Sequence, residues 1–131
     1  MHRDAYKLAD GSSLSVAQVD ALEALIAVDS SSIKDLAAYL LVDSANLSRT
    51  VATLVTLGLV GRVEDSADRR AVALTATPRG RKAHERIARR RREQLRIVLD
   101  TMEPDRCELL ADLLEEYFER VEASKDSEVD A

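Results

Sequence analysis

Residues 32–58 read SIKDLAAYLLVDSANLSRTVATLVTLG, and this stretch decides the fold. Ser32 opens it as a helix cap, and Leu36, Ala37, Leu40 and Leu41 share one face, which predicts a short helix over about 33–41. Asp43 is the next N-cap. Leu47, Val51 and Leu54 follow at i, i+4 and i+7, giving a second helix its buried stripe. Gly58 supplies the left-handed residue that ends it. Two short helices meeting at a tight turn around Val42-Asp43 make a helix-turn-helix pattern. The stripe leaves Ala45, Asn46, Ser48, Arg49, Ala52 and Thr53 toward solvent, with no acid between Ser44 and Val63. A helix that enters the major groove needs that mix of small and hydrogen-bonding side chains. Ser44, Asn46, Ser48, Arg49 and Thr53 are therefore candidate DNA contacts.

Upstream, Ser15-Val16-Ala17-Gln18 is a capping box, and Val19, Leu22, Leu25 and Ile26 continue as an apolar stripe, predicting a helix over about 15–28. The polar link Asp29 to Ser32 has room for one or two extended residues. Residues 3–9 suggest two helical turns, halted by Asp10-Gly11. Downstream the period changes. Leu59 to Val63 and Ala71 to Thr75 are strand-like, joined by a polar tip, so they predict a β-hairpin. Arg69 and Arg70 at that tip suit a minor groove, where the potential is most negative, and Asp68 can orient Arg70 through a paired hydrogen bond. Pro78 and Gly80 punctuate the hairpin's end. From Arg81 a long helix runs to about 101, Glu103-Pro104 breaks it, and a last helix carries Leu110, Leu113, Leu114, Tyr117, Phe118 and Val121. From Ser124 the chain is acidic, lacks an apolar stripe and is expected to fray.

Composition narrows the function. Hydrophobic residues are 46 % of the 131 and aromatics only 3 %, so the core must be aliphatic. No apolar run approaches the length of a membrane span, and the first residues lack the apolar centre of a signal peptide, so a cytoplasmic protein is expected. Cys107 stands alone and reads as structural. With two histidines, no ligand spacing and no glycine-rich phosphate loop, neither metal, cofactor nor enzyme is expected. The net charge of −5 conceals a polarised chain. Residues 1–43 hold 3 basic and 7 acidic side chains, residues 44–92 hold 12 and 4, and residues 93–131 hold 4 and 13. Phosphates respond to the local field, so the basic middle suits a polyanion.

Leu14 to Arg81 resembles the core of the multiple antibiotic resistance regulator (MarR) family without gaps. Gly58-Leu59-Val60 matches the family's Gly-Leu-Val, and Asp68-x-Arg70 with Thr77-x-x-Gly80 matches its wing signature. Ala76 stands where the family usually has leucine, and the family's long first helix is reduced to a stub. The resemblance implies a mainly α protein with a small β-hairpin wing: a winged helix-turn-helix plus long C-terminal dimerisation helices. Residues 1–14 would be the stub of a dimerisation helix, 15–80 the DNA-binding domain, 81–123 the dimerisation helices and 124–131 a disordered acidic tail. It implies a homodimer that binds double-stranded DNA at a pseudo-palindrome, represses, and is released by a small phenolic or carboxylate effector. Four consecutive arginines, 89–92, cover every side of a helical turn, so Arg90 or Arg91 must face inward and is the candidate effector-binding residue. The rival reading is a winged-helix protein-interaction module without DNA binding, using the acidic residues Glu115, Glu116, Glu119 and Glu122.

Overall fold

The computed structural model describes residues 6–64 and 72–129. They fold as two compact units, divided between Arg89 and Arg90. The first contains β1 (Tyr6–Lys7), β2 (Ser13–Leu14), α1 (Val16–Val28), α2 (Ile33–Leu40), α3 (Ser44–Thr56), β3 (Val60–Glu64), β4 (Val72–Ala76) and the start of α4 (Pro78–Leu99). The second contains the rest of α4 and α5 (Pro104–Val129).

In the first unit each helix begins where a side chain satisfies its orphan amides. Ser15 and Gln18 form the expected capping box. Ser32 Oγ accepts from the Asp35 amide at 3.1 Å, and Asp43 Oδ2 from the Asn46 amide at 3.2 Å. Leu14, Leu22, Leu25, Leu36, Leu54, Leu59, Leu74 and Ile87 are fully buried, and no polar or charged residue among those described is buried with them. Each such side chain contributes ~1.5–3 kcal/mol of transfer free energy. α1, α2 and α3 pack on this aliphatic centre, so α3 is held through Leu47, Val51 and Leu54, the predicted stripe.

β3 and β4 pair antiparallel from Val60↔Ala76 to Glu64↔Val72. Ser31, in the link between α1 and α2, adds a third short edge, exchanging two backbone bonds with Leu74 at 3.1 and 2.7 Å. The hairpin is fastened at its root. The Thr77 amide donates to Leu59 O at 3.0 Å, its hydroxyl donates to Gly58 O at 2.6 Å, and the same hydroxyl accepts from the Gly80 amide at 3.0 Å. Thr77 thus caps α4 and anchors the end of α3 together. Gly58 has φ +75°, the left-handed turn expected of it. Gly80 is obligatory for another reason: a Cβ there would stand 2.0 Å from Leu59 O.

Three expectations are corrected. Tyr6 to Leu14 form a β-hairpin rather than helical turns, with Tyr6 opposite Leu14 and Lys7 opposite Ser13. Leu14 is fully buried and Leu8 nearly so, and Ser12 and Gly11 close the turn on Leu8. Pairing across Asp10-Gly11 satisfies more backbone than two isolated turns can. α4 starts at Pro78 rather than Arg81, because proline after a capping threonine is a favoured first helical residue. α5 does not fray at Ser124 but continues to Val129. Ala123, Lys125 and Glu122 are adequate helix formers, and Lys125 pairs with Glu122 at 3.0 Å.

In the second unit, the end of α4 turns through Asp100 to Met102, whose amides donate to Arg96, Leu99 and, through Thr101, Val98. Pro104 opens α5, as expected. Cys107 is half-buried, its Sγ 3.5 Å from Leu99 O. Leu109, Leu110, Leu113, Leu114, Tyr117 and Phe118 are exposed on α5, as are Leu95, Ile97 and Val98 on α4.

Candidate nucleic-acid interface

α3 is amphipathic by construction. Its buried stripe is locked in the core, so the opposite face is presented as one rigid surface. Ser44, Asn46, Ser48, Arg49 and Thr53 are all exposed on it, as the spacing predicts. Arg49 Nη2 donates to Asn46 Oδ1 one turn earlier. The Thr50 and Thr53 hydroxyls back-bond to Asn46 O at 3.1 Å and Arg49 O at 3.4 Å. Those hydroxyl protons are spent on the helix, so the threonines offer a methyl group and acceptor lone pairs outward.

A residue the sequence reading missed joins this face. Arg62, exposed on β3, lines a groove of about 150 Å³ with Ile33, Ser48, Val72 and Leu74. The groove therefore runs from the start of α2 across α3 to the middle of the hairpin. The strand register places Arg62 opposite Leu74. Its meeting with Ser48 is tertiary and leaves no local signal. Asp68, Arg69 and Arg70 lie outside the described residues.

Leu8, Leu59 and Ala83 line a second cavity, of about 280 Å³, together with Arg79, Lys82, Arg86 and Asp10. Asp10 bonds Arg79 Nη2 at 2.7 Å. The Asp10 carboxyl is held below the usual carboxylate range, first because the Ser12 hydroxyl and amide donate to it and then because Arg79 is beside it. Arg90 and Arg91, the effector candidates, do not line this cavity. Arg90 is exposed and Arg91 half-buried on α4. His84 stands 3.9 Å from Glu23 of α1, and Tyr39 is exposed on α2. Among the described residues no three metal-ligating side chains converge, and no helix is long and apolar enough to cross a membrane.

A helix-turn-helix on an aliphatic core, flanked by a root-anchored hairpin, defines a winged helix-turn-helix domain. The comparisons agree. The family model described as the MarR family matches residues 12–71. The chain is 25 % identical to wild-type MarR of E. coli in its apo form, covering 79 % of this chain and 77 % of that one, with a TM-score of 0.73. It is 26 % identical to BpsR of Bordetella bronchiseptica, whose DNA binding is regulated by 6-hydroxynicotinic acid (79 % of each chain, TM-score 0.59). FabT of Streptococcus pneumoniae, solved in complex with DNA, shares the fold at 19 % identity (84 % and 77 %, TM-score 0.68). No curated protein matches by sequence at a significant level. The match to the MarR family, whose members are transcription regulators and not enzymes, lies on the winged helix of this chain. These likenesses support a DNA-binding transcription regulator.

Proposed function

We propose that this regulator is a homodimeric repressor that reads a pseudo-palindromic operator and releases it when a small anionic ligand binds. The observation that carries the reading is the exposed, acid-free face of α3, with Arg49 upon it and Arg62 beside it. Phosphates repel carboxylates, and this face has none in a chain with 24 acidic residues. Ser44, Asn46, Ser48, Arg49 and Thr53 contact the major groove; Arg69 and Arg70, the latter oriented by Asp68, enter the minor groove. The apolar residues exposed along α5 support the dimer, because a contiguous strip of Leu, Tyr and Phe is a typical association surface. Two α3 helices related by a two-fold would read half-sites about one turn apart, ~34 Å.

The ligand half rests on the cavity lined by Asp10, where apolar side chains meet three cationic ones, and on the response of the similar BpsR to an aromatic carboxylate. Fluorescence anisotropy with the duplex upstream of the protein's own gene, against a scrambled duplex of equal length, tests the first half. Tight binding to the former alone is expected; equal or absent binding to both removes the reading. For the second half, salicylate at millimolar concentration is expected to raise the melting temperature. If Arg86→Ala removes that shift, the cavity holds the ligand. If Arg90→Ala or Arg91→Ala removes it, the arginine run does.

A further inference from the structure

We infer that Asn46 is a positioning residue for Arg49, and that the pair specifies a guanine in each half-site. The inference rests on the reading of α3 as the base-contacting helix, and adds which base it reads and by what device.

Arg49 is exposed near the middle of α3, on a side chain with four rotatable bonds that pays much of its rotamer entropy on binding. Here its guanidinium is not loose: Nη2 donates to Asn46 Oδ1 across one helical turn. Arginine carries five N–H donors and no acceptor. The bond therefore fixes the asparagine amide as well, with its oxygen toward Arg49 and its NH2 turned away. Four guanidinium N–H groups remain, enough for the two-pronged contact to guanine O6 and N7. Asparagine's own two-pronged contact, to adenine N6 and N7, needs the oxygen that Arg49 already engages. The neighbours sharpen the division of labour, since Thr50 and Thr53 spend their hydroxyl protons on the helix backbone. Asn46 is itself held in place, its backbone amide bonded to the capping carboxylate of Asp43. Cap, amide and guanidinium thus form one relay along the solvent face of α3.

Selection of duplexes from a random-sequence library by the full chain, followed by binding of single-position variants, tests the inference. The parent is expected to select a guanine whose replacement weakens binding about tenfold. Arg49→Ala should abolish that preference. Asn46→Ala should cut it to about twofold at the same position, with the melting temperature unchanged because the Asn46 side chain is exposed. Asn46→Asp should keep the guanine preference, since a carboxylate accepts the same N–H, while weakening all duplexes alike by repulsion from phosphate. That rescue separates positioning from a direct phosphate contact. The inference is overturned if Asn46→Ala retains the full guanine preference, or loses an adenine at a position indifferent to Arg49→Ala; the DNA-reading role of α3 survives either result. Failure of the parent to select any sequence overturns that role and the inference together.

Discussion

Single residues in this chain carry conformational costs that the packing does not explain, and they make the sharpest tests. Leu41 ends α2 in the left-handed region at φ 56° and is 92 % exposed. It thus takes the steric penalty of a Cβ there and gains no burial. Leu41→Gly should stabilise the protein by about 1 kcal/mol in thermal or urea unfolding; a loss of stability would mean that the leucine packs on something. Gly80 is the opposite case. A Cβ at 2.0 Å from Leu59 O must push backbone against backbone, so Gly80→Ala should cost at least ~2 kcal/mol and disturb the hairpin root. A calorimetric melting temperature within a degree or so of the parent would refute that. Arg62 is exposed, so the main effect of Arg62→Ala belongs to DNA: weaker binding across all sequences, and a salt slope shallower by about one, read by anisotropy over a salt series.

Among elements, α3 depends on its cap. Asp43→Ala leaves the Asn46 amide unsatisfied and should cost about 1 kcal/mol, with Asp43→Asn restoring most of it. The β1–β2 hairpin is tied to α4 by Asp10 and Arg79, and its contribution has a pH signature. The Asp10 carboxyl lies lower in the folded chain than its ordinary 3.8. Stability from it is therefore complete above about pH 4 and is lost as pH falls through the lowered value. Asp10→Asn should therefore lower stability at neutral pH, converge with the parent once the pH falls below the lowered carboxyl, and flatten the acid limb between; a variant as stable as the parent at neutral pH would contradict the assignment. Caps were legible in sequence because they are local: Ser15 with Gln18, Ser32 and Asp43 each act within three residues. The β1–β2 hairpin was not, since its warrant is Tyr6 meeting Leu14 and Asp10 meeting Arg79, 69 positions away. The start of α4 was legible and misread: Thr77-Pro78 is a cap followed by a first-turn proline, and it looked like punctuation. The exposed face of α3 could be read from its stripe, whereas Arg62 could not be joined to it without the tertiary fold.

At the scale of the whole molecule, charge and apolar surface divide along the chain. The segment 44–92 carries 12 basic against 4 acidic side chains, while 93–131 carries 4 against 13. The acidic segment also bears the exposed leucines, Tyr117 and Phe118, whose rings meet edge to face at 5.5 Å. A repulsive charge set into that strip should break self-association without touching the winged helix. Leu114→Glu is expected to shift sedimentation from dimer to monomer at micromolar concentration and to weaken operator binding, while the first unit keeps its fold. A parent that sediments only as monomer would rule out the dimer.

The third edge made by Ser31 has a consequence that solvent exchange would expose. An amide hydrogen serves one carbonyl well, and the Leu74 N–H is given to Ser31 O, at 2.7 Å, rather than to β3. Its protection from deuterium is therefore set by the short link between α1 and α2 and not by the hairpin to which Leu74 belongs. Loosening that link, as by Ser31→Pro, which deletes the reciprocal donor, should accelerate exchange at Leu74 while the rungs between β3 and β4 hold. The amide of a wing residue would then be a reporter on the approach to the helix-turn-helix, readable one proton at a time.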